Sequence, residues 1–174
     1  MHSSPVEIVT LPPGEWQAYR QLRLEMLQES SQAFGASYVE QQAKPDSYWQ
    51  WRLEEAVKGE QSWLLFARVG QQLVGMIGAF RGGIDDPDAT DQAAIITVYV
   101  SPAWRGLGIS SLLMQAILDV LKENGVHVAH LGVNVEQAAA LHLYQLFGFS
   151  IIATPNQMMG DGLVHDEVLM EKKL

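Results

Sequence analysis

Apolar residues recur at helical spacing or alternate with polar residues along most of the chain. The clearest helix is predicted over residues 109–121, where apolar side chains fall at i, i+3, i+4, i+7, i+8, i+11 and i+12. Residues 94–100 just before it are rich in β-branched and aromatic side chains and end at Ser101-Pro102. This pattern predicts a buried strand followed by an amphipathic crossover helix.

The rest of the pattern predicts one mixed α/β domain over residues 1–174. Further strands are predicted at residues 6–11, 62–69, 73–81, 127–135, 149–153 and 164–172, and further helices at about 15–30, 45–59 and 138–144. The order β-α-α-β-β-β-α-β-α-β-β starts with antiparallel strands and later includes a crossover. We therefore expect a mixed, mostly antiparallel sheet of six to seven strands with helices on both faces.

Composition excludes several classes of function. The 174 residues carry a net charge of −9 and 48% hydrophobic residues, with no basic stripe, so nucleic-acid binding is not expected. No apolar run approaches the roughly 20 residues that cross a bilayer, and no signal pattern stands at the N-terminus, so we expect a cytoplasmic protein without membrane contact. The absence of cysteine excludes disulfides, thiolate metal sites and a cysteine acyl-enzyme. The five histidines are scattered, and no metal site is expected.

A glycine-containing turn joins the predicted strand to the crossover helix at residues 105–111. Unpaired N–H groups at the start of a helix and the positive end of its dipole attract anions, and Gly106 and Gly108 remove the β-carbons that would obstruct one. The turn therefore suits a diphosphate, with Arg105 adding a charge, although an ordinary strand-to-helix turn has the same spacing. A P-loop would need Gly-Lys-Ser/Thr, and a dinucleotide fingerprint would need a third glycine where Ser111 stands.

The order of motifs over about residues 94–150 resembles the GNAT acetyltransferase superfamily. The motifs are Val100-Ser101-Pro102, residues 105–109, Val133-Asn134, Ala140 with Leu143-Tyr144, and Gly148-Phe149. Two positions depart from the family pattern. Ser110 replaces the usual glycine or alanine, and Gln137 replaces a common asparagine, which leaves their effect on coenzyme A binding open.

The resemblance implies a GNAT fold and transfer of an acetyl group from acetyl-CoA to a primary amine of a small molecule, peptide or protein by direct attack. Tyr144 is implied as the proton donor to the departing thiolate. The implied co-substrate-binding residues are Val98, Tyr99, Val100, Arg105, Gly106, Leu107, Gly108, Ile109, Ser110, Ser111, Asn134 and Gln137. A non-catalytic acyl-CoA-binding regulatory domain of the same fold is the alternative, and a homodimer is left open.

The sequence does not identify the base that keeps the acceptor amine neutral. The candidates are Glu25, Glu29, Thr97, Tyr99, Asp166 and Glu167. Keeping a lysine amine neutral at pH 7 costs about 4.6 kcal/mol, whereas an α-amine of pKa near 8 costs about 1.4 kcal/mol. Without a buried base, an amine of low pKa, such as a peptide N-terminus or an amino-acid derivative, is the expected acceptor.

Overall fold

The computed structural model describes residues 4–174, so the first three residues of the expected domain lie outside the described part. The α-helices are α1 (Trp16–Glu29), α2 (Tyr38–Gln42), α3 (Asp46–Lys58), α4 (Ile109–Glu123) and α5 (Ala138–Leu146). The strands are β1 (Val6–Val9), β2 (Ser62–Val69), β3 (Gln72–Arg81), β4 (Gln92–Val100), β5 (Val128–Asn134), β6 (Ser150–Ala153), β7 (Asn156–Met158) and β8 (Val164–Lys173). In the described part, no helix has the length and apolar character needed to cross a membrane.

Seven strands form one continuous sheet in the order β1-β2-β3-β4-β5-β8-β6, and the short β7 pairs with the start of β8. Every pair is antiparallel except β4 with β5. The expected mixed, mostly antiparallel sheet is therefore confirmed. The sequence analysis missed β7 and α2, because elements of three and five residues are too short to show a period. A signal for α2 did exist: Ser37 Oγ accepts from the Glu40 amide at 3.2 Å, as in a capping box.

Helices cover both faces of the sheet, as expected. On one face α4 buries a stripe that includes Leu113, Ile117 and Leu121. On the other face α1 and α3 bury Leu27, Trp49 and other side chains in a separate cluster. The two cores hold the sheet between them and fix its strands as a rigid base for the site.

The parallel pair β4 and β5 opens along its length. The two strands are in register only at residues 92–94 and 128–130. Beyond that point β4 continues along β3 as far as Val100, and β5 continues along β8 as far as Asn134. Their facing edges therefore diverge, which leaves residues 95–100 and 131–134 on either side of an opening in the sheet.

Candidate active site

A cavity of about 650 Å³ occupies the opening between β4 and β5. Its walls are residues 95–100 and 131–134, and its ends are formed by the starts of α4 and α5. Residues 32–36 and the region of Gln157 and Met159 cover it from the α1 side. The carboxyl ends of parallel strands are a common place for ligands, because backbone groups and helix N-termini converge there.

A β-bulge shapes the β4 wall. Tyr99 pairs with Met76 and Ile96 pairs with Gly78, so two residues of β4 stand opposite one of β3. Thr97, inside the bulge, has φ of +54°, and its buried hydroxyl has no hydrogen-bond partner among the described residues. A β-branched residue in this region costs of order 1–3 kcal/mol, a strain that is concentrated at functional sites.

The bulge left a signal in the neighbouring strand that the sequence analysis did not use. A β-carbon on Gly78 would lie 3.1 Å from Thr97 Oγ1, and one on Gly75 would lie 2.8 Å from the Tyr99 carbonyl oxygen. Two glycines within one strand indicate a close backbone approach. Predicted binding residues Val98, Tyr99 and Val100 all line the cavity, although the Tyr99 hydroxyl turns away to donate to Glu25 Oε1 at 3.0 Å.

The glycine turn has the open geometry that an anion site needs. Gly106 and Gly108 have φ of +76° and +80°, and no atom lies within 4 Å of a β-carbon placed on either. Gly108 is the N-cap of α4 and supplies no side chain to cap it, so first-turn N–H groups remain for a ligand. Ile109 and Ser110 line the cavity here. Two other predicted residues of the turn, Leu107 and Ser111, are not among those that line it.

The Arg105 side chain lines the cavity at the turn and is paired within the protein. Its guanidinium donates to Glu29 Oε1 at 3.2 Å and Oε2 at 2.7 Å, and Nε donates to the Val100 carbonyl at 2.9 Å. Although burial opposes ionisation, hydrogen bonds from Arg105 and Ser30 give the Glu29 carboxyl a lowered pKa. Glu29 is therefore an ion-pair partner and a poor candidate for the base.

Asn134 and Gln137, both predicted to bind the co-substrate, lie on the β5 side of the cavity. The Asn134 side-chain amide is buried, and both of its polar atoms are hydrogen-bonded within the protein. Nδ2 donates to the Gln32 carbonyl at 3.0 Å, and Oδ1 accepts from the Glu136 amide at 2.9 Å. It therefore holds the covering segment against β5. Gln137 is half-buried at the N-cap of α5 and makes no side-chain cap, so its amide faces no competing partner there.

Tyr144 lines the cavity from α5 and is only 5% exposed. Its ring packs edge-on against Phe149, with the ring centroids 6.2 Å apart. Burial raises the pKa of the Tyr144 phenol well above its ordinary value. The hydroxyl therefore stays protonated near neutral pH and can act as a hydrogen-bond donor.

Glu167 on β8 is the buried carboxylate of the site. It lines the cavity, is 8% exposed, and has no ion-pair or hydrogen-bond partner for its carboxylate among the described residues. A β-carbon on Gly132 would overlap this carboxylate, so the glycine leaves it room. Burial raises the pKa of Glu167. Of the other candidates, Glu25 accepts from Tyr99 and from Ser101 Oγ.

Tyr144 and Glu167 lie on opposite faces of the opened sheet. Tyr144 packs in the α4 core together with Leu131 and Val133. Side chains alternate along a strand, so Gly132 and Asn134 face the α1 side, and Glu167, the register partner of Asn134, faces it with them. A group held between β4 and β5 would thus have a proton donor on one side and a carboxylate on the other.

Comparison with known protein families supplies the identity. The model described as "Acetyltransferase (GNAT) family" matches residues 17–149. The chain belongs to the GNAT acetyltransferase family. This confirms the resemblance inferred from the motifs of residues 94–150 and extends it back to α1.

Curated relatives of the GNAT chain match it over shorter segments. An uncharacterised N-acetyltransferase of Methanocaldococcus jannaschii is 24% identical over 106 residues, which are 61% of this chain and 47% of the relative. The L-amino acid N-acyltransferase of Escherichia coli is 34% identical over 62 residues, 36% of each chain. The chain thus spans less than half the length of these relatives.

Solved structures share the GNAT fold over the whole length. An acetyltransferase of the GNAT family from Streptococcus pneumoniae superposes with a TM-score of 0.81 at 16% identity, covering 98% of this chain and 100% of its own. A putative acetyltransferase from Salmonella typhimurium, solved with its cofactor acetyl-CoA, gives 0.80 at 18% identity over 98% and 95% of the two chains.

Two short segments, one after α1 and one between β6 and β8, cover the GNAT cavity. Gln32, Phe34, Gln157 and Met159 lie in or beside short irregular segments without a hydrophobic period. The segments are tied together by the Gly160 amide, which donates to the Phe34 carbonyl at 2.7 Å. The cover thus depends on long-range contacts that no local pattern reports.

Proposed function

We propose that this protein is an N-acetyltransferase that moves an acetyl group from acetyl-CoA to a primary amine by direct attack. The observation that carries the proposal is the opening between β4 and β5, which ends at the glycine turn and has a phenol and a carboxylate on opposite faces. Membership of the GNAT family and the acetyl-CoA complex of the Salmonella structure support it.

The residues fit an acyl-CoA. The diverging edges of β4 and β5 offer unpaired backbone groups to the amides of an extended ligand, which would bind like an added strand. The open space at Gly106 and Gly108 would receive the diphosphate beside the first turn of α4. Acetyl-CoA, when bound, supplies an acetyl thioester that a neutral amine can attack.

Glu167 is the proposed proton acceptor for the acceptor amine. A buried carboxyl with a raised pKa is closer to the working pH than an exposed one, and therefore a more effective base. In the overall reaction the nitrogen–carbon bond forms and the carbon–sulfur bond breaks. The amine nitrogen passes one proton to Glu167 and the departing sulfur gains one from the donor; Glu167 then releases its proton to solvent and the donor regains one from solvent, which closes the balance.

Tyr144 is the proposed donor to sulfur. An ordinary phenol has a pKa near 10 and a thiol near 8.5, so complete transfer is uphill by about 2 kcal/mol. Burial raises the pKa of Tyr144 further and increases that cost. Tyr144 therefore acts by donating a strong hydrogen bond as negative charge develops on sulfur, rather than by releasing its proton early.

We further propose a single domain over residues 1–174, located in the cytoplasm and not binding nucleic acid. The net charge of −9 supports the last point. A homodimer is proposed through the outer strand β6, whose Ile151 and Ile152 are about half exposed at the sheet edge. Light scattering across a concentration series tests it, and a monomer at all concentrations would contradict it.

A thermal-shift titration with acetyl-CoA, longer acyl-CoAs, NAD and ATP tests the donor assignment. A ligand at 100 times its Kd adds about 2.7 kcal/mol, or about 5–10 °C for a domain of this size. We expect a shift with acetyl-CoA and then CoA release with an amine panel. A shift only with NAD or ATP, or acetyl-CoA binding without CoA release from any amine, would refute the proposal.

A further inference from the structure

Arg23 on α1 is a cation in the cavity without a counter-charge. It lines the cavity, yet within residues 4–174 no carboxylate oxygen lies within 4.0 Å of its guanidinium. Among the described residues its guanidinium makes one side-chain hydrogen bond, from Nη1 to Met26 Sδ at 4.0 Å, which is too weak to replace an ion pair. The chain has 20 acidic and 11 basic residues, so the missing ion pair of Arg23 does not reflect a shortage of carboxylates in the sequence.

A second arginine makes the position of Arg23 more costly. Arg52 on α3 is close enough to repel the Arg23 charge and, after burial, contributes to lowering the pKa of Arg23. The buried Nε of Arg52 has no hydrogen-bond partner among the described residues. Desolvated charges are costly unless paired. A guanidinium that lines the cavity without an acidic partner, and with a second arginine charge near it, therefore points to an anion that comes from outside the chain.

The coenzyme phosphates are not the natural source of that anion. The proposed diphosphate site lies at Gly106 and Gly108, beside Arg105, which is paired with Glu29 at the end of α1. Arg23 precedes Glu29 by six residues, which is about 9 Å along a helix axis. Arg23 therefore stands apart from the glycine turn, on the α1 side of the cavity that Glu167 also faces.

We propose that Arg23 binds a carboxylate on the acceptor, so that the preferred acceptors are amines that also carry a carboxylate, as α-amino acids do. This inference rests on the proposed acetyl transfer to an amine. The planar guanidinium fork matches a carboxylate with two parallel hydrogen bonds. Arg23 on α1 would hold the anionic end of the acceptor, while Glu167, which faces α1 from the sheet, receives the proton from its amine.

The test compares L-amino acids with their amides, which keep the same skeleton but lose the negative charge. CoA release is measured at saturating acetyl-CoA for the wild type, Arg23→Gln and Arg23→Lys. We expect a KM at least about tenfold lower for the acids in the wild type, loss of that preference in Arg23→Gln and partial recovery in Arg23→Lys. Arg20→Gln is the matched control, since Arg20 lies on the same helix outside the cavity lining and its guanidinium donates to the Gln42 carbonyl.

A binding measurement separates this inference from the proposed function. N-acetyl amino acids and their amides are titrated by thermal shift in the presence of CoA, which requires no turnover. Equal shifts for acid and amide, or an acid preference that survives Arg23→Gln, would overturn the carboxylate site even if amines are acetylated. CoA release with no acid preference would do the same. Acid-selective binding without CoA release would instead support the carboxylate site and overturn the proposed transfer.

Discussion

Replacing Glu167 by glutamine tests the proton acceptor with little change in shape. The two side chains have nearly the same volume, so the pocket over Gly132 should be retained while the carboxylate is lost. General bases contribute about 10²–10⁴ in rate. We expect kcat/KM at pH 7 to fall by about 10² or more, because only the small neutral fraction of the acceptor amine can then react.

The size of the loss should follow the pKa of the amine. At pH 7 the neutral form costs about 4.6 kcal/mol for an amine of pKa 10.4 and about 1.4 kcal/mol for one near 8. Glu167→Gln should therefore impair lysine-like acceptors more than α-amines. It should also replace the acidic limb set by Glu167 with one set by the amine alone, so that raising the pH increases the rate about tenfold per unit until the amine is neutral.

The assay is CoA release between pH 5.5 and 9.5 with an α-amine and a lysine-like amine. Glu171→Gln is the control, because Glu171 lies on the same strand outside the cavity. Wild-type rates in Glu167→Gln, with the acidic limb unchanged, would remove Glu167 from the mechanism. So would an equal loss for both amines, since that indicates a structural defect rather than a missing base.

Glu167→Gln should also change how the folding stability of the protein depends on pH. The pKa of Glu167 is raised in the folded protein, so between its ordinary value and its folded value the folded state binds more protons than the unfolded state. The contribution of this carboxyl to the free energy of unfolding therefore falls as pH rises through that window. Glu167→Gln should be more stable relative to wild type at pH 7 than at pH 4. A gap in Tm that does not depend on pH would contradict this.

Three further substitutions test other parts of the site. Tyr144→Phe should reduce kcat at least about tenfold with little change in the acetyl-CoA thermal shift, and unchanged kcat would exclude the phenol. Gly108→Ala should both weaken acetyl-CoA binding and lower Tm. Gly162→Ala, with a similar φ of +79° outside the cavity, should lower Tm and leave acetyl-CoA binding unchanged. Equal acetyl-CoA binding by both would show that the turn does not hold the diphosphate. Thr97→Gly should relieve about 1–3 kcal/mol of backbone strain against about 0.5–1 kcal/mol lost to the greater chain freedom of glycine, and so raise Tm by about 2–6 °C; a lowered Tm would show that the side-chain packing of Thr97 outweighs the strain.

Sequence reasoning recovered the elements whose pattern is long and local. Helix α4 and strand β4 were expected within two residues of their observed limits, because a buried face of a dozen residues leaves a clear period. The glycine turn was equally readable, since positive φ at Gly106 and Gly108 restricts the residue type. The same local pattern could not show that Arg105 is paired, because its partner Glu29 is distant in sequence.

The choice among the candidate bases could not be made from the sequence for the same physical reason. Glu25, Glu29 and Glu167 are the same residue type, and their environments differ only in the folded chain. Glu25 accepts two hydroxyl hydrogen bonds, Glu29 is neutralised by an arginine, and Glu167 is buried without a partner. Long-range packing decides which of the three is available, and no periodicity reports it.

The single parallel pair explains why the candidate chemistry collects at one place in this sheet. Antiparallel neighbours such as β5 and β8 are in register from Val128 to Asn134, so the backbone groups that these two strands turn toward each other are paired within the sheet. The parallel strands β4 and β5 are joined by the long α4 rather than by a hairpin, and they part after three residue pairs.

Unpaired backbone groups buried in a protein are costly. An opening of this length is therefore stable only where a ligand or solvent can satisfy the exposed edges. The bulge at Thr97 widens the same edge, and the α4 N-terminus adds further donors to it. The unpaired backbone edges, the glycine turn and the carboxylate of Glu167 therefore all border the same opening in the sheet.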